Sequence, residues 1–173
     1  ELEMKPALSI AVIGCVFILG SCALTPYTPT TDRPMEPLIE FTTTNSLSLI
    51  NGQDPKAEID LISRRVVANL RAWTDTAIKI TARELKKRRA RVAPGEKRSL
   101  RLIVTHARDA DGFLTKGFEI DMLVQTGDGY VRTYTGRNSS ALVAVIKRQI
   151  DGAMMRVVAE MLKDPKIISY LTK

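Results

Sequence analysis

Phe118-Glu119-Ile120-Asp121-Met122-Leu123-Val124-Gln125-Thr126-Gly127-Asp128-Gly129-Tyr130 is the stretch that decides the fold class. Phe118, Ile120, Met122 and Val124 alternate with Glu119, Asp121, Leu123 and Gln125, the period of two that turns one side of a strand into a core and leaves the other outside. Thr126-Gly127-Asp128-Gly129 is turn chemistry, with glycine supplying the positive φ of tight hairpins, and it leads into a further strand from Tyr130 to Thr135. Upstream, Leu100, Leu102 and Val104 alternate with Arg101, Ile103 and Thr105. Three consecutive antiparallel strands are expected.

Helical spacing flanks them. Residues 56–91 contain no Gly or Pro, and Ile59, Ile62, Val66, Leu70, Trp73, Ala77 and Ile80 recur at intervals of three and four. This predicts one long helix kinked at Thr74-Asp75-Thr76, or two helices meeting there, with Asp54 as the first cap. After the capping cluster Asn138-Ser139-Ser140, a second stripe runs through Leu142, Ile146, Ile150, Ala153, Val157 and Met161 until Asp164-Pro165 ends it, and a short helix from Lys166 to Leu171 can follow. Leu38 to Phe41 and Ser46 to Ile50 read as a strand or loose hairpin closing at Asn51-Gly52. The expected fold is α+β, an antiparallel sheet of about four strands with two long helices packed on one face.

The chain has 173 residues, 45% hydrophobic and 26% charged, the composition of one globular domain of ordinary core size. Two Cys, one His and one Trp are too few for a disulfide framework or a Cys/His metal cluster, so neither a metal nor another cofactor is expected.

Ala7 to Leu19 is a run of thirteen uncharged residues behind Lys5. It is too short for a bilayer, which needs about 20 helical residues, and it matches the apolar region of an export signal. Leu19-Gly20-Ser21-Cys22 follows and resembles the lipobox of bacterial lipoproteins: an aliphatic residue, two small residues at the scissile bond, and the cysteine that takes a diacylglycerol. The resemblance implies that residues 1–21 are a signal peptide, that Cys22 is lipidated, and that three acyl chains hold the protein to a membrane without a transmembrane helix. With Ala23 rather than Asp after the cysteine, it also implies the outer membrane, on its periplasmic face. On this reading Cys15 leaves with the signal.

Residues 22–37 carry four of the eight prolines (Pro26, Pro29, Pro34 and Pro37), so an extended tether is expected there. Residues 38–173 are then the periplasmic α+β domain. Its layout loosely resembles small envelope lipoproteins such as YajG and the amino-terminal domain of TolB, an analogy of architecture alone.

Between residues 83 and 101 lie Arg83, Lys86, Lys87, Arg88, Arg89, Arg91, Lys97, Arg98 and Arg101 against Glu84 and Glu96, nine basic residues to two acidic. Arg83, Lys86, Lys87, Arg88, Arg89, Arg91, Lys97 and Arg98 are the candidate anion-binding set, suited to an anionic envelope surface or an acidic partner protein. The segment lacks the interleaved aromatics of a stacking platform, and an exported protein rarely meets nucleic acid, so no nucleic-acid partner is expected. His106, the only histidine, continues the inward phase of Leu100, Leu102 and Val104 and reads as a partly buried structural residue. Asp109-Ala110-Asp111-Gly112 has the form of part of a calcium loop, but that register places Ala107 and Phe118 where acidic ligands belong, so it reads as a surface turn. Trp73 and the Met154, Met155 and Met161 group read as core.

The sequence therefore points to a non-enzymatic, lipid-anchored envelope protein with a binding or assembly domain. The alternatives are an accessory lipoprotein subunit of a transport, secretion or appendage complex, and an envelope hydrolase using His106 with Asp109 or Asp111 and a serine that the sequence does not single out.

Overall fold

A computed structural model of the chain describes residues 24–112, 115–140 and 146–173. The export-signal run, Cys22 and the Leu142 position of the second stripe lie outside the described residues. In chain order the strands are β1 (Thr25–Pro26), β2 (Ser46–Asn51), β3 (Glu58–Leu61), β4 (Val66–Asn69), β5 (Arg91–Val92), β6 (Ser99–Asp109), β7 (Lys116–Thr126) and β8 (Val131–Ser140), and the helices are α1 (Leu70–Lys87), α2 (Ile146–Lys163) and α3 (Pro165–Thr172).

The α+β class holds, with a richer sheet plan than expected. Five strands form a mixed sheet in the order β5-β2-β6-β7-β8, and three form a second sheet in the order β1-β4-β3. The antiparallel meander expected from the alternating segments is β6-β7-β8, with Leu102 opposite Val124 and Met122 opposite Tyr134. β2 runs parallel to β6, and β5 runs parallel to β2, so Ser46–Asn51 is a central strand and not half of a hairpin. Leu38 to Phe41 lies in no strand.

The largest correction falls on residues 56–69. The stretch expected to open the long helix is a hairpin, β3 and β4, joined by a 3-10 turn at Ile62–Arg64 and by Arg65 at φ 53°. The physical reason is that Ile59 and Leu61, and Val66 and Ala68, also satisfy a period of two, and adjacent β-branched Val66 and Val67 favour an extended chain. Asn69 then caps α1, its side chain accepting from the Ala72 amide at 2.8 Å. Thr74 and Thr76 do not break the helix. Their hydroxyls donate back to the carbonyls of Leu70 and Ala72, at 2.8 and 3.2 Å.

α1 and α2 cover one face of the five-stranded sheet, α1 over β2 and β6 and α2 over β7 and β8. Trp73, Ile80, Leu100, Leu102, Phe118, Ile120, Met122, Met154 and Met161 are fully buried between these layers. Gly136 is required there: a Cβ on it would overlap the Val157 nitrogen and the Ala153 carbonyl oxygen of α2, so the helix backbone lies directly on β8. β8 extends to Ser140, which makes Asn138-Ser139-Ser140 the end of a strand where a helix cap was expected. Asp164 both closes α2 and caps α3, accepting from the Lys166 amide at 2.8 Å.

Residues 24–37 are extended, as their prolines dictate, but they lie on the body. Thr25 and Pro26 pair with Val66 and Val67. Beyond them the Tyr27 carbonyl accepts from Trp73 Nε1 at 2.7 Å, and the Tyr27 hydroxyl donates to buried Asp151 of α2 at 2.6 Å. Asp151 also accepts from the Thr30 amide at 3.0 Å, the Thr31 carbonyl accepts from Arg83, and Glu36 pairs with Lys163 at 2.7 Å. The detached spacer expected from residues 22–37 is, over its described part, a strap along α1 and α2. It was not legible as such because its partners, Trp73 and Asp151, lie about 46 and 124 residues away in sequence.

Candidate functional site

Two ends of the molecule carry distinct chemistry. At one, the chain enters the fold at Thr25, whose amide donates to the Arg65 carbonyl at 3.0 Å and whose hydroxyl donates there at 3.1 Å. Both long helices start at this end. Buried Arg64 organises it: its guanidinium donates to Asp109, to Gln149 at 2.8 Å, to Asp111 at 3.3 Å and to the Gly117 carbonyl at 2.7 Å. The Phe118 ring lies 6.0 Å beneath the same guanidinium. Asp109 and Asp111, two acids of the alternative hydrolase, are therefore committed to this arginine and to Lys116.

His106 is not on the inward face. The ladder between β6 and β7 slips between Val104 and His106, and this bulge places Thr105 and His106 together on the open face of the sheet. His106 sits opposite Asp121, which accepts from Thr135 at 2.6 Å and from Arg108 at 2.5 Å. Burial pushes the Asp121 carboxyl up, and the Thr135 and Arg108 contacts outweigh it and hold the group below the usual range. The Val104 amide next to the bulge is satisfied by the Thr74 hydroxyl at 3.0 Å, which accounts for a threonine in mid-helix. Neither Asp109 nor Asp111 is bonded to His106. Among the described residues, no group of three or more His, Cys, Asp or Glu is placed to hold a metal ion.

The opposite end carries the basic segment, and the structure divides its eight candidates. Arg83, Lys87 and Arg88 converge on buried Glu84, at 3.2, 2.8 and 3.5 Å. Burial raises the Glu84 carboxyl, and Lys87 with Arg83 more than reverses this, leaving it lowered. Arg88 also stacks over Phe41 at 5.1 Å, and Arg98 donates to the Tyr170 carbonyl at 3.1 Å. These four are substantially structural. Lys86, Arg89, Arg91 and Lys97 are exposed and have no ion-pair partner among the described residues. Arg89, which follows the end of α1, has a left-handed backbone, φ 66°, and is exposed. A cavity of about 580 Å³ lies along this end between α1 and β5, lined by Ala82, Arg83, Lys86, Ala90, Arg91 and Val92. Another of the same size opens between the β7 to β8 turn and α3, where Arg98, Tyr130, Lys166 and Tyr170 meet.

Sequence reasoning missed three buried charges, Arg64, Asp151 and Asp164, each of which holds distant segments together. Asp164 accepts from Tyr134 at 2.7 Å, Tyr130 at 2.9 Å and Arg132 at 2.8 Å. Its place before a proline signalled the end of α2 and gave no sign of the tyrosines or of the cap on α3.

No family model matches the chain, and no curated protein matches it. Among solved structures, the crystal structure of protein XCC0632 from Xanthomonas campestris, described as family-model DUF330, is similar with a TM-score of 0.56 and 15% identity, over 84% of this chain and 96% of that one. At this identity the likeness shows the fold alone. None of the described helices is long and apolar enough to cross a membrane.

Proposed function

We propose that the chain is a lipid-anchored envelope protein, held at the periplasmic face of the outer membrane by Cys22, whose α+β domain binds other envelope proteins without catalysis. The observation that carries this reading is the Leu19-Gly20-Ser21-Cys22 motif set three residues before the point where the chain joins β4 at Thr25. Three residues span at most about 10 Å, so a lipid on Cys22 keeps the Arg65 end of the body against the membrane. α1 then leads away from that surface for 18 residues, about 27 Å at 1.5 Å per residue, and delivers the unpaired Lys86, Arg89 and Arg91 to the far side. This placement favours a protein partner over the protein's own membrane as the counterpart of the basic residues. Service as an accessory subunit of a larger transport or secretion assembly is a particular case of the same reading.

Mass spectrometry of the mature amino terminus tests the proposal. The expected result is a peptide beginning at Cys22 and carrying acyl chains, with Cys22→Ser moving the protein out of the membrane fraction. An unmodified Cys22, or cleavage at another position, overturns the anchor.

A further inference from the structure

We infer that the groove between α1 and β5 receives an extended, acidic segment of a partner protein, added as a strand to the β5 edge. The inference deepens the binding role proposed above and does not depend on the lipid.

β5 is the edge of the five-stranded sheet, with β2 on one side and, among the described residues, no strand on the other. The Arg91 amide donates to the Asn45 carbonyl at 3.2 Å and the Ala93 amide to the Leu47 carbonyl at 3.0 Å. In a parallel ladder alternate residues bond to the same neighbour, so the amide and carbonyl of Val92, between these two, face the open edge. Edges of this kind are commonly blunted by shortness, charge or a proline, and β5 is two residues long with Pro94 after it, so the site for an added strand is confined to the outward amide and carbonyl of Val92. Here the space alongside is a groove of about 580 Å³ with a floor of small residues, Ala82 and Ala90, that leaves room for a second backbone. Val92 is 36% exposed at its mouth. Addition of a strand to such an edge takes affinity from main-chain bonds and specificity from alternate side chains.

The charge around the groove selects the occupant. Lys86 and Arg91 stand at its rim with no acidic partner among the described residues, and Arg89 and Lys97 are further exposed cations on neighbouring turns. An extended segment carrying Asp or Glu at alternate positions places its carboxylates against Lys86 and Arg91 and its intervening apolar residues against Ala82, Ala90 and Val92. A nonspecific polyanion needs only the cations, whereas a strand also needs the outward Val92 amide.

Fluorescence anisotropy tests this on the full chain in detergent, with three labelled peptides of equal length: alternating Glu-Val, alternating Gln-Val, and alternating Glu-Pro. The Glu-Val peptide is expected to bind best, and Glu-Pro, with the same charge and no capacity to pair, at least about tenfold more weakly. Val92→Pro deletes the outward amide of β5, and it is expected to reduce Glu-Val binding about tenfold with an unchanged circular dichroism spectrum. The double variant Lys86→Glu, Arg91→Glu keeps falsifiability if Val92→Pro does not fold: it should lose the Glu-Val peptide and gain an alternating Lys-Val one. Equal binding of Glu-Val and Glu-Pro, full binding by a folded Val92→Pro, or no binding by any peptide overturns the inference. The state of Cys22, read separately by mass, decides the anchor whatever the groove does.

Discussion

Asp164→Asn separates a carboxylate's charge from its shape at a position where the structure predicts the cost. Burial alone pushes this carboxyl up; hydrogen bonds from Tyr134, the Lys166 amide and Tyr130, with the charge of Arg132, pull it down from 3.8 to about 2. A group whose folded pKa is depressed contributes stability at pH above its unfolded value and loses it as pH falls through the folded one. The contribution is therefore complete above about pH 5 and declines between about pH 4 and pH 2. A depression of this size corresponds to about 2 to 3 kcal/mol. Asparagine also caps helices well, so the Lys166 amide keeps an acceptor and the loss falls on the tyrosines and Arg132. Urea denaturation of wild type and variant, followed by circular dichroism from pH 7 to pH 2, is the assay. The expected difference is about 2 to 3 kcal/mol at pH 7, shrinking below pH 4 as the wild type surrenders its advantage. A difference that stays constant across that range refutes the electrostatic account and leaves only packing.

The strap predicts that a chain beginning at residue 38 melts several degrees below one beginning at residue 24, because Trp73 Nε1 and Asp151 lose their partners; coincident melts in a thermal scan contradict this. Gly136→Val should cost more than about 3 kcal/mol or prevent folding, since backbone atoms of α2 occupy the space, while Gly129→Ala in the open β7 to β8 turn should cost about 1 kcal/mol for its positive φ; denaturant midpoints compare the two. Arg64→Met should lower stability by about 3 kcal/mol, stranding the Gln149 and Gly117 oxygens, and unchanged stability in the same measurement removes the arginine from its central role.

Sequence by itself determined what depends on local periodicity. β6, β7 and β8 were legible because one face of each packs on the helices and the other is more open, although Asp121 on the open side of β7 is itself buried, so alternation survives in the residues. The stripe from Leu70 to Ile80 was legible for the matching reason: one side of α1 meets the sheet. Local turn chemistry at Gly129 and Asp164 was legible as well. The motif at Leu19 to Cys22 is readable only in sequence.

Tertiary structure decided the rest. Ile59 and Val66 fit a helical spacing and, with Leu61 and Ala68, a period of two as well, and only pairing of β4 with β1 and β3 resolves them into strands, with Ile62 in the 3-10 turn between. A single extra residue at Thr105 reverses the phase of His106, which a strict alternation cannot anticipate. The parallel pairing of β2 with β6, the burial of Arg64 and Asp151, and the strap all join residues far apart in the chain, so no local pattern encodes them. The basic segment shows the same division. Its composition announced excess positive charge, but only the fold assigns Arg83, Lys87 and Arg88 to Glu84 and leaves Lys86 and Arg91 beside an open strand, because pairing depends on which carboxylate the packing brings within reach.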